Sequence, residues 1–326
     1  MLTLDESAAL ARSAAAHARA PRLGFLGVGW IGRDRMRAIA AAGGVEIAAV
    51  ADASDDACRE ALAIAPHARA LGSLEALLAE DLDGIVIATP SALHAEQAEA
   101  ALARRVAVFC QKPLGRTAAE NARVVAAARR ADRLLGVDLS YRETAAMQRI
   151  RSLVVAGAIG EVYAVDLTFH NAYGPDKAWF RDPRLAGGGC VIDLGIHLVD
   201  LALWTLGFPD VRGVGSRLFA RGVPLASRDV VEDHAMAQID LASGTVVRLA
   251  CSWNLDAGRD AIIEAAFHGT RGGAAMRNVA GSFYDFVAER YEATRTTTLA
   301  TPPDAWGGRA AAAWARALAA GGAFDP

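Results

Sequence analysis

Residues 22–36 read RLGFLGVGWIGRDRM, and this stretch changes character at its middle. Leu23–Gly27 is a short apolar run of the kind that forms a buried parallel strand. Gly27, Gly29 and Gly32 then fall in the spacing GxGxxG, with Trp30 and Ile31 between the last two, and a helical segment follows. In a strand–turn–helix context each glycine has a task. The first permits the tight turn, the second lets the backbone approach a pyrophosphate, and the third allows close helix–strand packing. The helix N-terminus then faces the phosphates. Asp52 lies twenty residues past Gly32, at the end of the next apolar run. A carboxylate there accepts from the ribose hydroxyls of an adenosine. No arginine or lysine directly follows it to receive a 2′-phosphate, so NAD is expected and NADP is the less favoured cofactor.

Outward from this turn, apolar runs at Val45–Ala51, Gly84–Ala88, Val106–Cys110 and Leu134–Leu139 alternate with alanine-rich segments. The rhythm predicts an α/β fold with a doubly wound parallel Rossmann sheet over residues 21–140. Thr89-Pro90 and Gln111-Lys112-Pro113 then close strands on the carboxyl edge of the sheet, the edge on which ligands of this fold lie. With His94 at the start of the helix after Thr89-Pro90, these residues join the glycine turn and Asp52 as candidate cofactor contacts.

Beyond Tyr141 the pattern shifts to a helix over Thr144–Ala156, a strand over Glu161–Asn171 and an apolar helix opened by Gly187–Gly189. Long strands follow near Val231–Leu241, Thr245–Trp253 and Ala261–His268, and a final helix spans about Arg309–Ala319. Residues 141–326 are therefore expected to form a second α/β domain with an open, largely antiparallel sheet. One face of that sheet should be left for a partner subunit, as a homodimer or homotetramer. Residues 1–20 form an extension, expected to be a short extra helix.

Composition excludes several classes. A net charge of −3 without runs of like sign offers no basic face for nucleic acid or an anionic membrane. No apolar run is expected to reach the roughly 20 residues that span a bilayer. The four cysteines, Cys58, Cys110, Cys190 and Cys251, show neither disulfide-framework nor zinc spacing, which points to a reducing, cytoplasmic setting.

Of 34 basic residues, only Lys112 and Lys177 are lysines. A lysine kept where arginine serves elsewhere marks a place for a compact ammonium donor, and Pro113 restricts Lys112 to extended geometry. The helix after Cys190 is apolar nearly all round, yet Asp193, His197 and Asp200 recur at i, i+4 and i+7. Buried ionisable groups are costly unless paired or functional. An aspartate near a helix N-terminus that orients a histidine suits proton exchange with a substrate hydroxyl. A satisfied structural pair is the alternative, and no further ligands stand at metal-binding spacing.

The glycine turn, the TPSALHAEQAEAAL stretch from Thr89, QKPLG from Gln111 and GGGCVIDLGIHLVDLALWTLG from Gly187 together resemble the glucose–fructose oxidoreductase, inositol dehydrogenase and rhizopine-catabolism (Gfo/Idh/MocA) family. The resemblance covers most of the chain from Arg22 onward. It implies hydride transfer between a nicotinamide and a secondary alcohol of a sugar, cyclitol or similar polyol. It implies a catalytic set matching Lys112, Asp193 and His197, a cis Lys112–Pro113 bond, and oligomerisation through the open sheet. The family's glutamate before the lysine is Gln111 here, which leaves open how Lys112 and His197 divide the proton exchange. Tyr141, Arg142, His170 and Trp179 are candidates to grip the remaining substrate hydroxyls. The competing readings are a dinucleotide-binding sensor without catalysis, or a lyase or isomerase that uses bound NAD transiently.

Overall fold

A computed structural model describes residues 19–227 and 229–325. The helix expected within residues 1–20 falls outside the described residues, apart from Arg19 and Ala20. The chain divides into two compact units. The first takes the residues up to Thr89, Leu93–Asp138 and Gly308 onward, and the second takes Pro90–Ala92 and Leu139–Gly307.

The first unit contains β1 (Arg22–Leu26), α1 (Trp30–Ala42), β2 (Glu46–Ala51), α2 (Asp55–Leu62), β3 (Arg69–Leu71) and α3 (Leu74–Leu78). It continues with β4 (Gly84–Ile87), α4 (Ser91–Ala103), β5 (Ala107–Cys110), α5 (Ala118–Ala131) and β6 (Leu135–Val137). The sheet order is β3-β2-β1-β4-β5-β6, parallel throughout. Strands buried on both faces read as continuous apolar runs, and β4 and β5 are buried at every residue. The short, half-exposed β3 has no such run and is invisible to that criterion. Ser54 and Thr117 cap α2 and α5, accepting from Ala57 N and Glu120 N.

The second unit begins with a 3₁₀ turn (Ser140–Glu143) and α6 (Ala145–Val155). Next come β7 (Val162–Asn171) and a π-helical turn (Val191–Gly195) that runs directly into α7 (Ile196–Thr205). The remaining strands are β8 (Val211–Ala220), β9 (Val223–Pro224), β10 (His234–Leu241), β11 (Val246–Ser252), β12 (Ala261–Gly269), β13 (Gly272–Asn278), β14 (Phe286–Glu292) and β15 (Arg295–Ala300). They form one sheet, ordered β15-β14-β13-β12-β7-β11-β10-β8-β9, in which only β7 and β11 pair in parallel. Along β7, Val165, Leu167 and Phe169 enter the core with Leu194, Leu198 and Leu201 of the apolar helix. Asp166, Thr168 and His170 alternate onto the other face. The stretch Pro183–Thr205 corrects the expectation about apolar runs. It is 23 residues and apolar enough to cross a bilayer by length and composition, yet 56% of an 18-residue apolar window within it is buried inside the fold.

One boundary differs from the expectation for residues 141–326. The last helix, α8 (Arg309–Ala319), packs on α1 of the first unit. Trp314 stacks obliquely on Phe109 with ring centroids 5.7 Å apart. Gly84 and Gly136 leave room for its indole: a Cβ on either would meet that ring at 2.7 or 2.9 Å.

Candidate active site

In the first unit the glycine turn has the shape its spacing predicts. Gly27 has φ +82°, and a Cβ there would sit 2.6 Å from the Ala88 carbonyl carbon. A Cβ on Gly32 would lie 2.2 Å from Gly27 O. Gly29 differs, because a Cβ there would meet nothing within 4 Å. Its flank is open at the N-terminus of α1, which no side chain caps, and Trp30 beside it is 62% exposed. Uncapped helical N–H groups with open space before them are what a pyrophosphate requires, so the residues present fit a dinucleotide.

Asp52 braces the turn. Its Oδ2 accepts from Val28 N at 2.7 Å and its Oδ1 from Ser54 N at 2.9 Å. Arg33 and Arg35, the nearest cations after the turn, are both engaged. Arg33 donates to Val28 O at 2.7 Å and pairs with Glu60 at 2.6 Å. Arg35 pairs with Asp34 and, through Nε, with Asp138, each at 2.5 Å.

The lysine loop is held from both sides. The Lys112–Pro113 bond is cis, as the resemblance implied. His94, expected to touch cofactor, is turned into the protein. It is 1% exposed, and its two ring nitrogens each lie 2.7 Å from a carbonyl oxygen, of Pro113 and of Thr89. Burial pushes its imidazolium below the ordinary histidine range, although both carbonyls favour the charged form. His94 therefore ties two carboxyl-edge loops together. Gln111 is likewise turned inward: its side-chain N–H donates to the buried Asp138. Thr89 Oγ1 donates to Gln97 Oε1 at 2.6 Å, while Pro90 is exposed.

In the second unit, Asp193 lies in the π-helical turn and His197 in the first turn of α7. The π turn adds a residue to one helical turn and shifts everything after it in phase, so the i, i+4, i+7 stripe does not persist. Asp193 Oδ2 accepts from Trp253 Nε1 at 3.0 Å. His197, 7% exposed, packs against Tyr141 at 4.8 Å and Phe169 at 6.5 Å between centroids. Asp200 departs from the stripe and accepts two hydrogen bonds from Arg142. Burial raises the Asp200 carboxyl, and Arg142 only partly opposes it.

Three of the expected substrate contacts have other partners in this geometry. Arg142 is occupied by Asp200 and lies over the rings of Trp204 and Phe208 at 5.8 and 5.5 Å. Tyr141 is buried among Phe169, Phe286 and Trp306, where burial pushes its phenol up. It is the floor beneath His197. His170 points from the opposite face of β7 to Phe169, so it does not share a surface with His197. There it faces Ser252 Oγ at 2.7 Å and stacks on His234 at 5.8 Å. Trp179 stays on the Asp193 side, stacked on Phe180 at 3.8 Å, and Phe180 meets the edge of Trp253.

Two supporting residues were not legible in the sequence. Trp253 closes a predicted strand without any sign that its indole reaches Asp193, sixty residues away. Glu232 precedes β10, and its Oε1 accepts from Gly189 N and Val191 N, each at 2.9 Å. It places a carboxylate at the positive end of the apolar helix. A Cβ on Gly189 would come within 1.8 Å of Glu232 O, so that glycine is required by the close approach.

Residues 21–139 match the family described as an oxidoreductase family with an NAD-binding Rossmann fold, and residues 147–275 match the GFO/IDH/MocA C-terminal domain. The chain belongs to the Gfo/Idh/MocA oxidoreductase family. Among its Gfo/Idh/MocA relatives, D-apiose dehydrogenase of Paraburkholderia graminis is 30% identical over 86% of this chain and 73% of its own. D-glucoside 3-dehydrogenase of Escherichia coli is 29% identical, and the match covers 61% of this chain and 60% of that enzyme's length. The solved structure of GenD2 from gentamicin A biosynthesis, in complex with NAD, is 25% identical. It superposes with a TM-score of 0.77 over 93% of this chain and 86% of its own.

Proposed function

We propose that this protein is a cytoplasmic, NAD-dependent dehydrogenase or reductase acting on a secondary alcohol or ketone of a sugar, cyclitol or similar polyol. The observation that carries the reading is the pair Asp193 and His197: two ionisable groups kept inside an apolar helix, one oriented by a buried indole and the other seated on aromatic rings. Such groups suit proton exchange. The names of the curated relatives support the sugar class.

Gly27, Gly29, Trp30, Ile31, Gly32 and Asp52 would hold the dinucleotide, which supplies a hydride acceptor and donor when bound. His197 exchanges the hydroxyl proton. Asp193 holds the imidazole in the productive tautomer, and Lys112 donates a hydrogen bond to the reacting oxygen. Trp179 is the remaining aromatic surface suited to a sugar ring. The uncovered face of the second sheet carries Arg217, Met236, Gln238 and Arg248, and we assign it to a homodimer or homotetramer contact.

The test is a panel of sugars, cyclitols and their keto forms with NAD(H) and NADP(H), read by nicotinamide absorbance. Turnover of at least one polyol is expected. Copurified NAD without net turnover on the whole panel would overturn the dehydrogenase reading in favour of a lyase or isomerase.

A further inference from the structure

Gln111 stands where the family motif has a glutamate, and the structure supplies a physical reason. The side-chain N–H of Gln111 donates to Asp138 Oδ2, and Arg35 Nε donates to the same oxygen at 2.5 Å. All three residues are buried, Asp138 to 1% exposure, and its second oxygen has no hydrogen-bond partner. Asp138 is brought there by the sheet: its N–H donates to Cys110 O at 2.9 Å, one register past the last β5–β6 pair. Its negative charge adds to burial in pushing up the Cys110 thiol. A glutamate at position 111 would bring a second carboxylate against Asp138 away from water, where like charges repel and no side-chain N–H would be left to donate. The amide and the carboxylate are therefore matched: this chain has an amide before the lysine and a buried carboxylate on the neighbouring strand.

We propose that Asp138 is the positioning residue of the lysine loop, carrying one strand over the negative charge that the family motif carries beside the lysine. The loop is gripped on each side of Lys112. Gln111 is held by Asp138, and the Pro113 carbonyl lies against His94. Arg35 extends the network to α1, so the helix that opens at the glycine turn and the loop that bears Lys112 share one buried ion pair. A charge-assisted network in which two donors share one buried carboxylate oxygen holds backbone more rigidly than a lone hydrogen bond. The inference rests on the dehydrogenase reading for its kinetic arm only.

The experiment is a double-mutant cycle on the full-length protein with Gln111→Glu, Asp138→Asn and the exchanged pair Q111E/D138N. Loss of a hydrogen bond to a buried charge corresponds to roughly tenfold or more. Each single variant is expected to lose about that factor in kcat, with KM for NAD within about twofold, and to melt several degrees lower. The exchange restores one carboxylate, one amide and the partner for Arg35, so it should recover most of both losses. A purely structural role would not separate kcat from KM in this way. An exchanged variant as slow and as unstable as the sum of the two singles would overturn the proposal. So would single variants with normal kcat. If a single variant cannot be purified, the exchanged variant decides: recovery of folding and turnover supports the pair, and failure refutes it. A wild-type protein inactive on every polyol would count against the functional reading alone, because the coupling would still appear in the melting temperatures.

Discussion

Trp253→Phe isolates one atom's contribution to the proposed chemistry. The indole is 3% exposed and its Nε1–H donates to Asp193 Oδ2 at 3.0 Å. Phenylalanine keeps an aromatic ring beside Phe180 but deletes this donor. A hydrogen bond to a charged group is worth about 1.5–3 kcal/mol. If the bond tightens as His197 gains its proton, that energy appears in the barrier as roughly 10- to 150-fold in kcat. The same loss in the resting fold would lower Tm by about 3–12 °C, taking about 2–4 °C per kcal/mol for a unit of this size. Steady-state kcat and KM for the best polyol, together with calorimetric melting, separate the two. A kcat within about twofold of wild type alongside a clear fall in Tm would show that Trp253 only packs, and would refute its orienting role.

Further outcomes follow from the same geometry. His197→Ala should reduce kcat by roughly 10²–10⁴, the usual worth of a positioned acid–base. Its KM for NAD should hardly change, since His197 belongs to the second unit and the glycine turn to the first. Intact turnover would move proton exchange to Lys112. Lys112→Arg should abolish most activity, because a planar guanidinium cannot place a compact donor in the same space; near-normal turnover would remove Lys112 from the catalytic set. Calorimetric titration should show tighter NAD(H) than NADP(H) binding, since Asp52 repels a 2′-phosphate and Arg33 and Arg35 are both paired. The reverse order would mean that one of those arginines is released on binding. Burial and the neighbouring His234 hold His170 at about 4, below its ordinary 6.5. The folded state binds fewer protons than the unfolded one between those values, so stability is full above pH 6.5 and falls as pH drops toward 4. His170→Gln should flatten that fall in Tm, and an unchanged slope would remove His170 as its source.

What the sequence determined by itself is what depends on near neighbours along the chain. Strand, glycine turn and helix from Leu23 to Met36 are specified by local periodicity and by φ at Gly27, and the same alternation runs to Leu139. That the helix after Cys190 is buried and holds unusual polar groups was also legible, because burial follows from composition around a helix. Tertiary structure decided which partner each charged group has. Arg142 finds Asp200, Gln111 finds Asp138, Glu232 caps Gly189 and Trp253 reaches Asp193 across 27 to 60 residues of chain. A buried charge needs some partner, and nothing local names it. The π-helical turn at Val191–Gly195 belongs here too, because it moves His197 out of the phase that a regular helix predicts. The polar or small-residue strands β13 and β15 gain order only from their sheet neighbours, so they escape an apolar pattern search. The destination of α8 is the plainest case. An amphipathic alanine-rich helix fits either core, and only the space over Gly84 and Gly136 gives Trp314 its place.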